Sequence, residues 1–389
     1  MIRQVTTERL PIKMWLGEVE PGAWQQARNL ANFPFAVHHV ALMADCHQGF
    51  GMPIGGVLAT RQVVVPNAVG VDIGCGMAAV RTALTGLKQA TLRQVLSRIR
   101  ATVPLGFKHH RQPRSRDHMP EGYDVAELPV VRREYDHALH QLGTLGGGNH
   151  FIEVQKDPDQ RLWLMVHSGS RNLGKQVADH YNRLAVRLNQ QWASPVPKSM
   201  QLAYLPVDSP EGQRYWREMN YCLDFAFANR RLLMDAALAA LDSCITTDLN
   251  PEPMINIAHN YAAQETHFRQ KVIVHRKGAT KAGPDTIGII PGSQGANSYI
   301  VRGRGNPDSF ASCSHGAGRI MGRKQAIRSL DLADEQRKLD KQGVLHSLHD
   351  RRDLDEAAGA YKEITEVMRQ QSDLVEVLTE LRPLAVIKG

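Results

Sequence analysis

Short apolar segments separated by glycine-rich turns constrain the fold of this chain more than any other feature of its sequence. Residues 37–42, 63–65 and 77–80 are apolar and glycines fall between them, a pattern typical of strands joined by tight turns. Glycine suits such turns because it reaches backbone angles that other residues avoid. Further strands are predicted at residues 163–167, 272–275, 287–290 and 298–302.

Predicted helices lie between these strands without a regular βαβ rhythm. They are the segments 21–32, 87–101, 173–191, 211–243, 325–344 and 355–380. No proline- or serine-rich linker divides the chain, so we predict an α+β fold in which residues 1–389 form a single domain. The aromatic residues of the longest helix are expected in the core: Tyr215, Trp216, Tyr221, Phe225 and Phe227.

The chain is basic, because its 47 lysines and arginines exceed its 39 aspartates and glutamates by 8. Such a surplus suits a polyanionic partner, but many basic proteins never contact nucleic acid. Residues 106–118, GFKHHRQPRSRDH, form a basic loop. Two interpretations of this loop are equally open, a solvated surface loop and a contact with RNA.

The apolar runs of the chain are short. We therefore expect neither a signal peptide nor a membrane-spanning segment. The chain has 5 cysteines, an odd number, and they are widely scattered. This argues against a disulfide framework and predicts a reducing, cytoplasmic location.

Six motifs combine glycine with residues that bind metals or phosphates. In the first, 69–77, Asp72 and Cys75 lie three residues apart in a turn with three glycines. A carboxylate and a thiolate this close can both reach one metal ion, or share two. Considered alone, the motif is more typical of a tight turn with a buried cysteine.

The second motif, 143–153, contains three consecutive glycines followed by Asn149 and His150. Consecutive glycines expose amide groups that can surround an anion. His150 can bind metal or phosphate, and Glu153 can accept hydrogen bonds from two N–H donors of guanine. The alternative is a flexible loop before a strand, but the added Asn-His pair favours a functional site.

Two further motifs place a histidine after an apolar run. His167 ends a predicted strand, and Arg171, four residues later, can contact phosphate oxygens. His259, followed by Asn260, ends another apolar run. A structural histidine in the core is the ordinary alternative for both motifs.

In the last two motifs, small residues lie next to basic side chains or next to a histidine. The segment 276–280 contains a basic pair, and the segment 291–298 is a turn rich in serine and glycine. Together they are typical of phosphate or nucleotide binding. Either segment considered separately could be a hairpin turn. In the segment 312–319, a nitrogen of His315 can be a covalent nucleophile at phosphorus. The alternative for this motif is a serine-capped helix N-terminus, which also favours anions.

Together the motifs supply an aspartate, a cysteine and at least three histidines as candidate metal ligands. Such a set suits zinc, iron or manganese, and residue types alone do not choose among them. The chain contains no Walker A loop, no GxGxxG unit and no CxxC pair. Kinase-like, Rossmann and zinc-ribbon interpretations therefore have no support.

The order of the motifs resembles a known family. They are VGVDIGCGM, GTLGGGNHFIEV, VHSGSRNLG, AHNYA, HRKGAT, IIPGSQG, SYIVRGRGNPDSF and SCSHGAGR. In this order they resemble the successive motifs of the RtcB family of tRNA-splicing and RNA-repair ligases, from about residue 40 to Lys388. The resemblance implies one large α+β domain, with mixed or antiparallel sheets flanked by helices and a deep metal-containing cleft.

A site with two manganese ions is also implied by the resemblance. Cys75 would bridge both ions, and the remaining ligands would be His167 and His259 for one ion and Asp72 and His150 for the other. His315 would be the nucleophile that takes GMP from GTP. Two arginines would contact RNA or nucleotide phosphate, namely Arg171 and Arg319.

The resemblance further implies a guanylate pocket built from several of the motifs and from the C-terminus. Its members would be Asn149, His150, Phe151, Ile152, Glu153, His259, Asn260, Pro291, Gly292, Ser293, Gln294, Ser298, His315, Gly316, Ala317, Gly318 and Lys388, with Tyr361 stacking on the guanine.

The implied activity joins an RNA 3′-phosphate, or an opened 2′,3′-cyclic phosphate, to a 5′-hydroxyl. His315 would attack GTP, GMP would pass to the 3′-phosphate, and the 5′-hydroxyl would then displace GMP. An activating protein of the archease type is an expected partner. Gln294 and Gly322 stand where a methionine and a serine are common in the family, which indicates a paralogous bacterial branch. The role implied is RNA repair or tRNA splicing, with repair of cleaved tRNA or ribosomal RNA as a hypothesis for this branch.

Two other functions fit parts of the motif set. A metal-dependent phosphoesterase that only hydrolyses RNA ends would use the same ligands, and guanylation of His315 would distinguish the ligase from it. A non-catalytic RNA-binding subunit would be expected to have lost some of the ligands, and all of them are present.

Overall fold

The computed structural model describes residues 1–389 and consists of strands and helices in mixed order. The strands are β1 (Arg3–Val5), β2 (Ile12–Met14), β3 (Ala36–Phe50), β4 (Met52–Thr60), β5 (Val63–Val64), β6 (Gly76–Thr85), β7 (Phe151–Lys156), β8 (Arg161–Ser168), β9 (Leu205–Pro206), β10 (Ile255–Ala258), β11 (Asn260–His267), β12 (Gln270–Lys277), β13 (Ala279–Lys281), β14 (Ile287–Ile290), β15 (Ser298–Gly303), β16 (Ser312–Ser314) and β17 (Val375–Lys388). The helices are α1 (Pro21–Ala31), α2 (Pro66–Val69), α3 (Gln89–Thr102), α4 (Pro129–Gln141), α5 (Arg171–Gln191), α6 (Pro210–Asp242), α7 (Arg323–Ser329), α8 (Leu332–Gln342) and α9 (Ile364–Gln370).

Two large sheets form the framework of the molecule. The first has six strands in the order β1-β2-β3-β4-β12-β11, and only the β2–β3 pair is parallel. The second has seven strands in the order β10-β6-β8-β7-β17-β15-β14, and every pair is antiparallel. The short pairs β13-β16 and β5-β9 complete the strand pairing. The predicted α+β fold with mixed and antiparallel sheets is therefore confirmed.

The longest helix, α6, packs its apolar residues into the core beside the seven-stranded sheet. It begins where Pro210 takes the first helical position and the Ser209 hydroxyl accepts a hydrogen bond from the Gly212 amide. Tyr215, Tyr221 and Phe225 are fully buried, as predicted, whereas the other two aromatic residues of the helix are only partly covered. None of the helices combines the length and apolar character that crossing a membrane would require.

The predicted helices at 21–32, 87–101, 173–191 and 211–243 match α1, α3, α5 and α6 to within two residues at each end. The predicted helix at 325–344 is divided into α7 and α8. Helix α8 starts anew because the Asp331 side chain accepts a hydrogen bond from the Asp334 amide.

The predicted helix at 355–380 was wrong. Only α9 is α-helical in that segment, apart from 3-10 turns that end at Ala360. Strand β17 occupies a central position in the seven-stranded sheet, between β7 and β15. Charged side chains such as Glu376, Glu380 and Arg382 face solvent, whereas Leu381 is buried. The two-residue period of a strand was obscured at Pro383, where the pairing register with β7 shifts.

A buried arginine joins α6 to the loops above the seven-stranded sheet. Arg230 is fully buried, and its Nη1 donates hydrogen bonds to the carbonyl oxygens of Gly74 (2.8 Å) and Ser168 (2.9 Å). Its Nε donates to the Asn256 side chain at 2.7 Å. One guanidinium therefore fixes the turn before β6, the end of β8 and a residue of β10 relative to one another.

We expect the substitution Arg230→Met to lower the free energy of unfolding by at least about 2 kcal/mol, because buried carbonyl groups left without a donor cost ~1–3 kcal/mol each. The measurement is the midpoint of urea unfolding, monitored by circular dichroism. The neighbouring Arg231 is exposed, so Arg231→Met is the matched control and should leave the midpoint unchanged. Equal midpoints for both variants would contradict this account.

Candidate active site

The five predicted metal ligands lie together at one end of the seven-stranded sheet. Antiparallel pairing sets Gly76 opposite both Ser168 and Ala258, and Phe151 opposite His167. The candidate ligands lie within these pairs or next to them in the chain, so the pairing brings them to the same end of the sheet. They are Cys75 before β6, His150 before β7, His167 in β8, His259 after β10 and Asp72 in the turn after α2.

Two overlapping groups of ligand atoms are formed, each with its atoms within 4.8 Å of one another. One group contains Cys75, His167 and His259, and the other contains Asp72, Cys75 and His150. The Cys75 Sγ lies 3.3 Å from Nε2 of His167 and 3.5 Å from Nε2 of His150. The Nε2 of His150 lies 3.1 Å from an oxygen of Asp72. Because Cys75 belongs to both groups, its sulfur can be shared by two ions.

The histidine rings are oriented by backbone carbonyl groups. Nδ1 of His150 donates to the Leu145 carbonyl and Nδ1 of His167 donates to the Asn149 carbonyl, both at 3.0 Å. A proton held on Nδ1 leaves the Nε2 lone pair directed at the cluster, the usual arrangement of histidines that bind metals. The Nδ1 of His259 is buried without a hydrogen-bond partner, and a metal ion bound to its lone pair would satisfy this nitrogen.

The electrostatics of these residues also fit a metal site. Burial lowers the pKa of His167 and of His259 well below the ordinary value, and neighbouring histidines add to the effect, so both imidazoles are neutral. Burial raises the pKa of the Cys75 thiol well above its ordinary value, and the Asp72 carboxylate raises it further. A bound cation would reverse this rise and stabilise the thiolate. Thiolate, carboxylate and neutral imidazole together suit a transition-metal ion.

His315 follows β16 and is held by a buried carboxylate from β3. An oxygen of Asp45 accepts hydrogen bonds from Nδ1 of His315 (2.6 Å) and from the backbone amides of His315 (3.0 Å) and Gly316 (3.3 Å). Burial disfavours the charged form of Asp45, but His315 and Lys362 hold the pKa of this carboxyl below its ordinary value. Because a carboxylate only accepts, Nδ1 carries a proton, and in the neutral imidazole Nε2 then has the lone pair. The His315 ring lies 4.7 Å from that of His259, beside the metal ligands.

Sequence analysis assigned no role to Asp45. Its one signal in the sequence is an acidic residue within the apolar strand β3, where every residue from Val40 to Cys46 is buried. A buried carboxylate requires compensating donors, and two glycines allow the backbone to approach it. A side chain at Gly318 would lie 2.2 Å from the Asp45 carbonyl oxygen, and one at Gly55 would lie 2.8 Å from its carboxylate.

A cleft opens beside His315 and is lined mainly by polar and small residues. Most of the predicted guanylate residues line it. They are Asn149, Phe151, Glu153, Pro291, Gly292, Ser293, Gln294, His315, Gly316, Ala317, Gly318, Tyr361 and Lys388. Sequence analysis did not predict the lining residues His47, Ile54, Arg323, Glu356 and Val386.

Three predicted pocket residues lie behind the lining. Ile152 points into the apolar core on the other face of β7. The Ser298 hydroxyl accepts a hydrogen bond from the Gly292 amide at 3.2 Å and so supports the turn that lines the cleft. The Asn260 side chain accepts from the Gly278 amide (2.8 Å) and donates to the Asp72 carbonyl (3.0 Å). Ser298 and Asn260 therefore position neighbouring residues.

Two buried titratable groups lie in the cleft. Burial raises the pKa of Glu153 to about 8, although Gln155 and Lys388 oppose the rise. Burial lowers the pKa of Lys388, although Glu356 and Glu153 oppose the fall. The Lys388 ammonium lies 5.6 Å from the centre of the Phe151 ring. This part of the cleft is therefore poor in water and rich in polar groups that a ligand can satisfy.

The two predicted phosphate-contacting arginines are both held in defined positions. Arg319 lies over the Tyr361 ring at 4.9 Å and pairs with Glu356 at 3.2 Å, and Arg323 pairs with the same carboxylate at 2.9 Å. Arg171 opens α5 with a positive φ of 59°, and its Nε donates to the Thr144 hydroxyl at 3.1 Å. Arg319 therefore lines the cleft, whereas Arg171 lies beside the metal ligands.

Comparison with known proteins agrees with this geometry. A family model described as "tRNA-splicing ligase RtcB" matches residues 26–389. The chain is 40% identical to the "RNA-splicing ligase RtcB" of Escherichia coli strain K12, over 99% of both chains. It is 31% identical to the "tRNA-splicing ligase RtcB" of Thermococcus kodakarensis, over 94% of this chain and 90% of that protein. The chain therefore belongs to the RtcB family.

Proposed function

We propose that this chain is an RNA ligase that uses GTP and manganese to join an RNA 3′-phosphate to a 5′-hydroxyl. The observation that carries the proposal is the position of His315, whose Nδ1 is bound by the buried Asp45 carboxylate and whose ring lies next to the ligand cluster. A histidine held in this way presents its other nitrogen as a nucleophile. The relatives of this chain are named RNA- or tRNA-splicing ligases, which supports an RNA substrate.

In the first step, the Nε2 lone pair of His315 attacks the α-phosphorus of GTP. A P–N bond forms, the bond to the bridging oxygen breaks, and pyrophosphate leaves. The imidazole then carries a positive charge, which the Asp45 carboxylate stabilises at Nδ1. The proton stays on Nδ1 throughout, so the step needs no separate base.

In the second step, an oxygen of the RNA 3′-phosphate attacks the same phosphorus and the P–N bond breaks. This returns a neutral His315 and leaves the RNA end activated, with GMP as leaving group. The 5′-hydroxyl oxygen then attacks the RNA phosphorus, the bond from that phosphorus to the GMP oxygen breaks, and the hydroxyl proton passes to the departing GMP. A 2′,3′-cyclic phosphate would first be opened to a 3′-phosphate. Two manganese ions, held by Asp72, Cys75, His150, His167 and His259, would neutralise phosphate charge and orient the attacking oxygen.

The cleft would bind the guanylate. An ionised Glu153 can accept from the two N–H groups of guanine, and such donors would offset the burial that raises its pKa to about 8. Tyr361 supplies an aromatic surface for the base, and the backbone amides of Ser293 and Gln294 can donate to phosphate or ribose. A pocket that relies on Glu153 in this way should prefer GTP to ATP, because adenine lacks this pair of donors.

Several further features of the proposal rest on the family. We propose RNA repair as the role, an archease-type protein as activator and the cytoplasm as the location, the last supported by five free cysteine thiols. We also propose that residues 1–389 act as one domain, because the catalytic histidine, its aspartate and the metal ligands come from different sheets.

The substitution His315→Ala is expected to abolish covalent guanylation while manganese remains bound, because His315 belongs to neither ligand group. The assay is incubation with α-labelled GTP and manganese, followed by denaturing electrophoresis. His137 is exposed on α4, so His137→Ala is the control and should be labelled as the natural protein is. The proposal would be contradicted if the His315→Ala variant were still labelled. It would also be contradicted if the natural protein hydrolysed RNA ends without being labelled.

The substitution Cys75→Ala is expected to remove most of the bound manganese, because the thiol belongs to both ligand groups. Metal content can be measured by mass spectrometry after gel filtration. Cys222 is equally buried but lies in the α6 core, so Cys222→Ala controls for the loss of a buried thiol. Full manganese occupancy in the Cys75 variant would exclude this assignment of the ligands.

The substitution Asp45→Asn is expected to slow guanylation by roughly 10- to 10⁴-fold, as for other carboxylates that orient a catalytic histidine. GTP affinity should change little, because Asp45 is absent from the lining of the cleft. Single-turnover labelling at several GTP concentrations separates rate from affinity. Asp157 is a buried aspartate at the far end of β7, and Asp157→Asn is the control. An unchanged rate in the Asp45 variant would show that this carboxylate does not position His315.

A further inference from the structure

A second depression, which we call the groove, adjoins the cleft at His315. The groove has an empty volume of about 2300 Å³, and Asp72, Cys75 and His259 lie along it. It shares His315 and Arg323 with the cleft. A molecule in the groove can therefore reach both the candidate metal ligands and the candidate nucleophile without entering the cleft.

Exposed apolar side chains and free cations line the groove together. Phe50, Val71 and Ile320 are 69%, 48% and 56% exposed and all line the groove. Exposed apolar side chains that share one depression are more informative than scattered ones. Helix α7 contributes Lys324 and Arg328 to the groove, and neither cation pairs with a carboxylate. Apolar and aromatic surface beside cations is typical of sites that bind single-stranded nucleic acid.

The most exposed of these residues, Phe50, lies at the tip of the β3–β4 hairpin, and the tip is firmly held. The buried Lys277 ammonium donates to the Phe50 carbonyl (2.6 Å) and to the Asn67 carbonyl (3.0 Å). The Gln26 side chain donates to the Gly49 carbonyl (2.6 Å) and accepts from its amide (3.1 Å).

The next residue, Gly51, continues this restraint. It adopts a φ of 66°, and a side chain there would lie 2.5 Å from the Gln201 carbonyl oxygen. Its amide also donates to the Gln201 side chain at 3.1 Å. The backbone at the tip is thus fixed on both sides of Phe50, while the ring itself has little contact with the protein. A ring displayed on a rigid support loses little entropy when a ligand stacks on it.

We propose that Phe50 stacks on a base within the last few nucleotides of the RNA strand that carries the 3′-phosphate. This inference rests on the proposed ligase function, because the 3′-phosphate must approach His315 to receive GMP. Since His315 lies where the cleft and the groove meet, a phosphate beside it leaves the preceding nucleotides in the groove. The cations of α7 would then contact the backbone phosphates, and the Phe50 ring would cover a base.

The test is a double-mutant cycle between Phe50 and the RNA bases. A fluorescent RNA with a 3′-phosphate is titrated with protein and manganese in the absence of GTP, and each of its last three nucleotides is made abasic in turn. Phe50→Ala should weaken binding of the intact RNA by roughly 5- to 150-fold, the range for loss of one base–aromatic stack. At one position, the abasic RNA should bind the natural protein equally weakly, and Phe50→Ala should then have no further effect.

Two controls accompany the cycle. Phe50→Trp should retain the affinity, because it preserves an aromatic surface. Phe268 is 44% exposed at the turn between β11 and β12 and lies outside the groove, so Phe268→Ala removes an exposed ring elsewhere and should not alter binding. Guanylation of His315 is measured on every variant and should be unchanged by Phe50→Ala.

The outcomes separate this inference from the proposed function. If the natural protein is guanylated and binds RNA but Phe50→Ala binds equally well, the stacking inference fails alone. It also fails if the variant weakens intact and abasic RNAs equally, if it loses guanylation, or if only Phe268→Ala weakens binding. A natural protein that is neither guanylated nor binds 3′-phosphate RNA would overturn the ligase proposal itself.

Discussion

The hydrogen bonds between the Asp45 carboxylate and His315 join the parts of the molecule on which its chemistry depends. Asp45 belongs to the six-stranded sheet, His315 follows a strand of a small separate sheet, and the candidate metal ligands lie at the edge of the seven-stranded sheet. An ionised carboxylate without solvent is costly unless donors surround it. One Asp45 oxygen accepts three hydrogen bonds from His315 and Gly316. The cost of burying the charge is thus offset only when the histidine is in position.

Burial has a common effect on the titratable groups around this pair. It favours the neutral form of His167, His259 and the Cys75 thiol, and it raises the pKa of Glu153 to about 8. Each of these groups is suited to a charged or strongly polar ligand that would replace the lost solvent. Cations would stabilise the thiolate, and hydrogen-bond donors would stabilise the ionised Glu153. The protein thus provides a buried site whose polar groups the proposed metal ions and nucleotide would complete. Electrostatic stabilisation of a transition state is strong in such an environment.

The sequence predicted those parts of the fold and site that depend on neighbouring residues. Glycine turns, the strand ends carrying His167 and His259, and helices such as α6 follow from local patterns. Asp45 and Arg230 were not recognised as functional, because their partners are distant in the chain. Asp45 lies 270 residues from His315, and Arg230 lies 156 residues from Gly74. Only the tertiary structure reveals that one carboxylate orients the candidate nucleophile and that one guanidinium fixes the turn beside Cys75.

The C-terminal strand shows why such long-range pairing matters for the site. Strand β17 pairs with β7 in a register that sets Val386 opposite Glu153 and Lys388 opposite Phe151. In a strand, a shift of one residue moves every side chain to the other face of the sheet. Such a shift would turn Lys388 away from the cleft and into the apolar core that Ile387 now occupies. The irregular pairing around Pro383 comes just before residues 384–388. It can therefore determine which face of the sheet each of these side chains occupies. The segment least like a strand in its sequence is thus the one that brings the C-terminal lysine into the cleft.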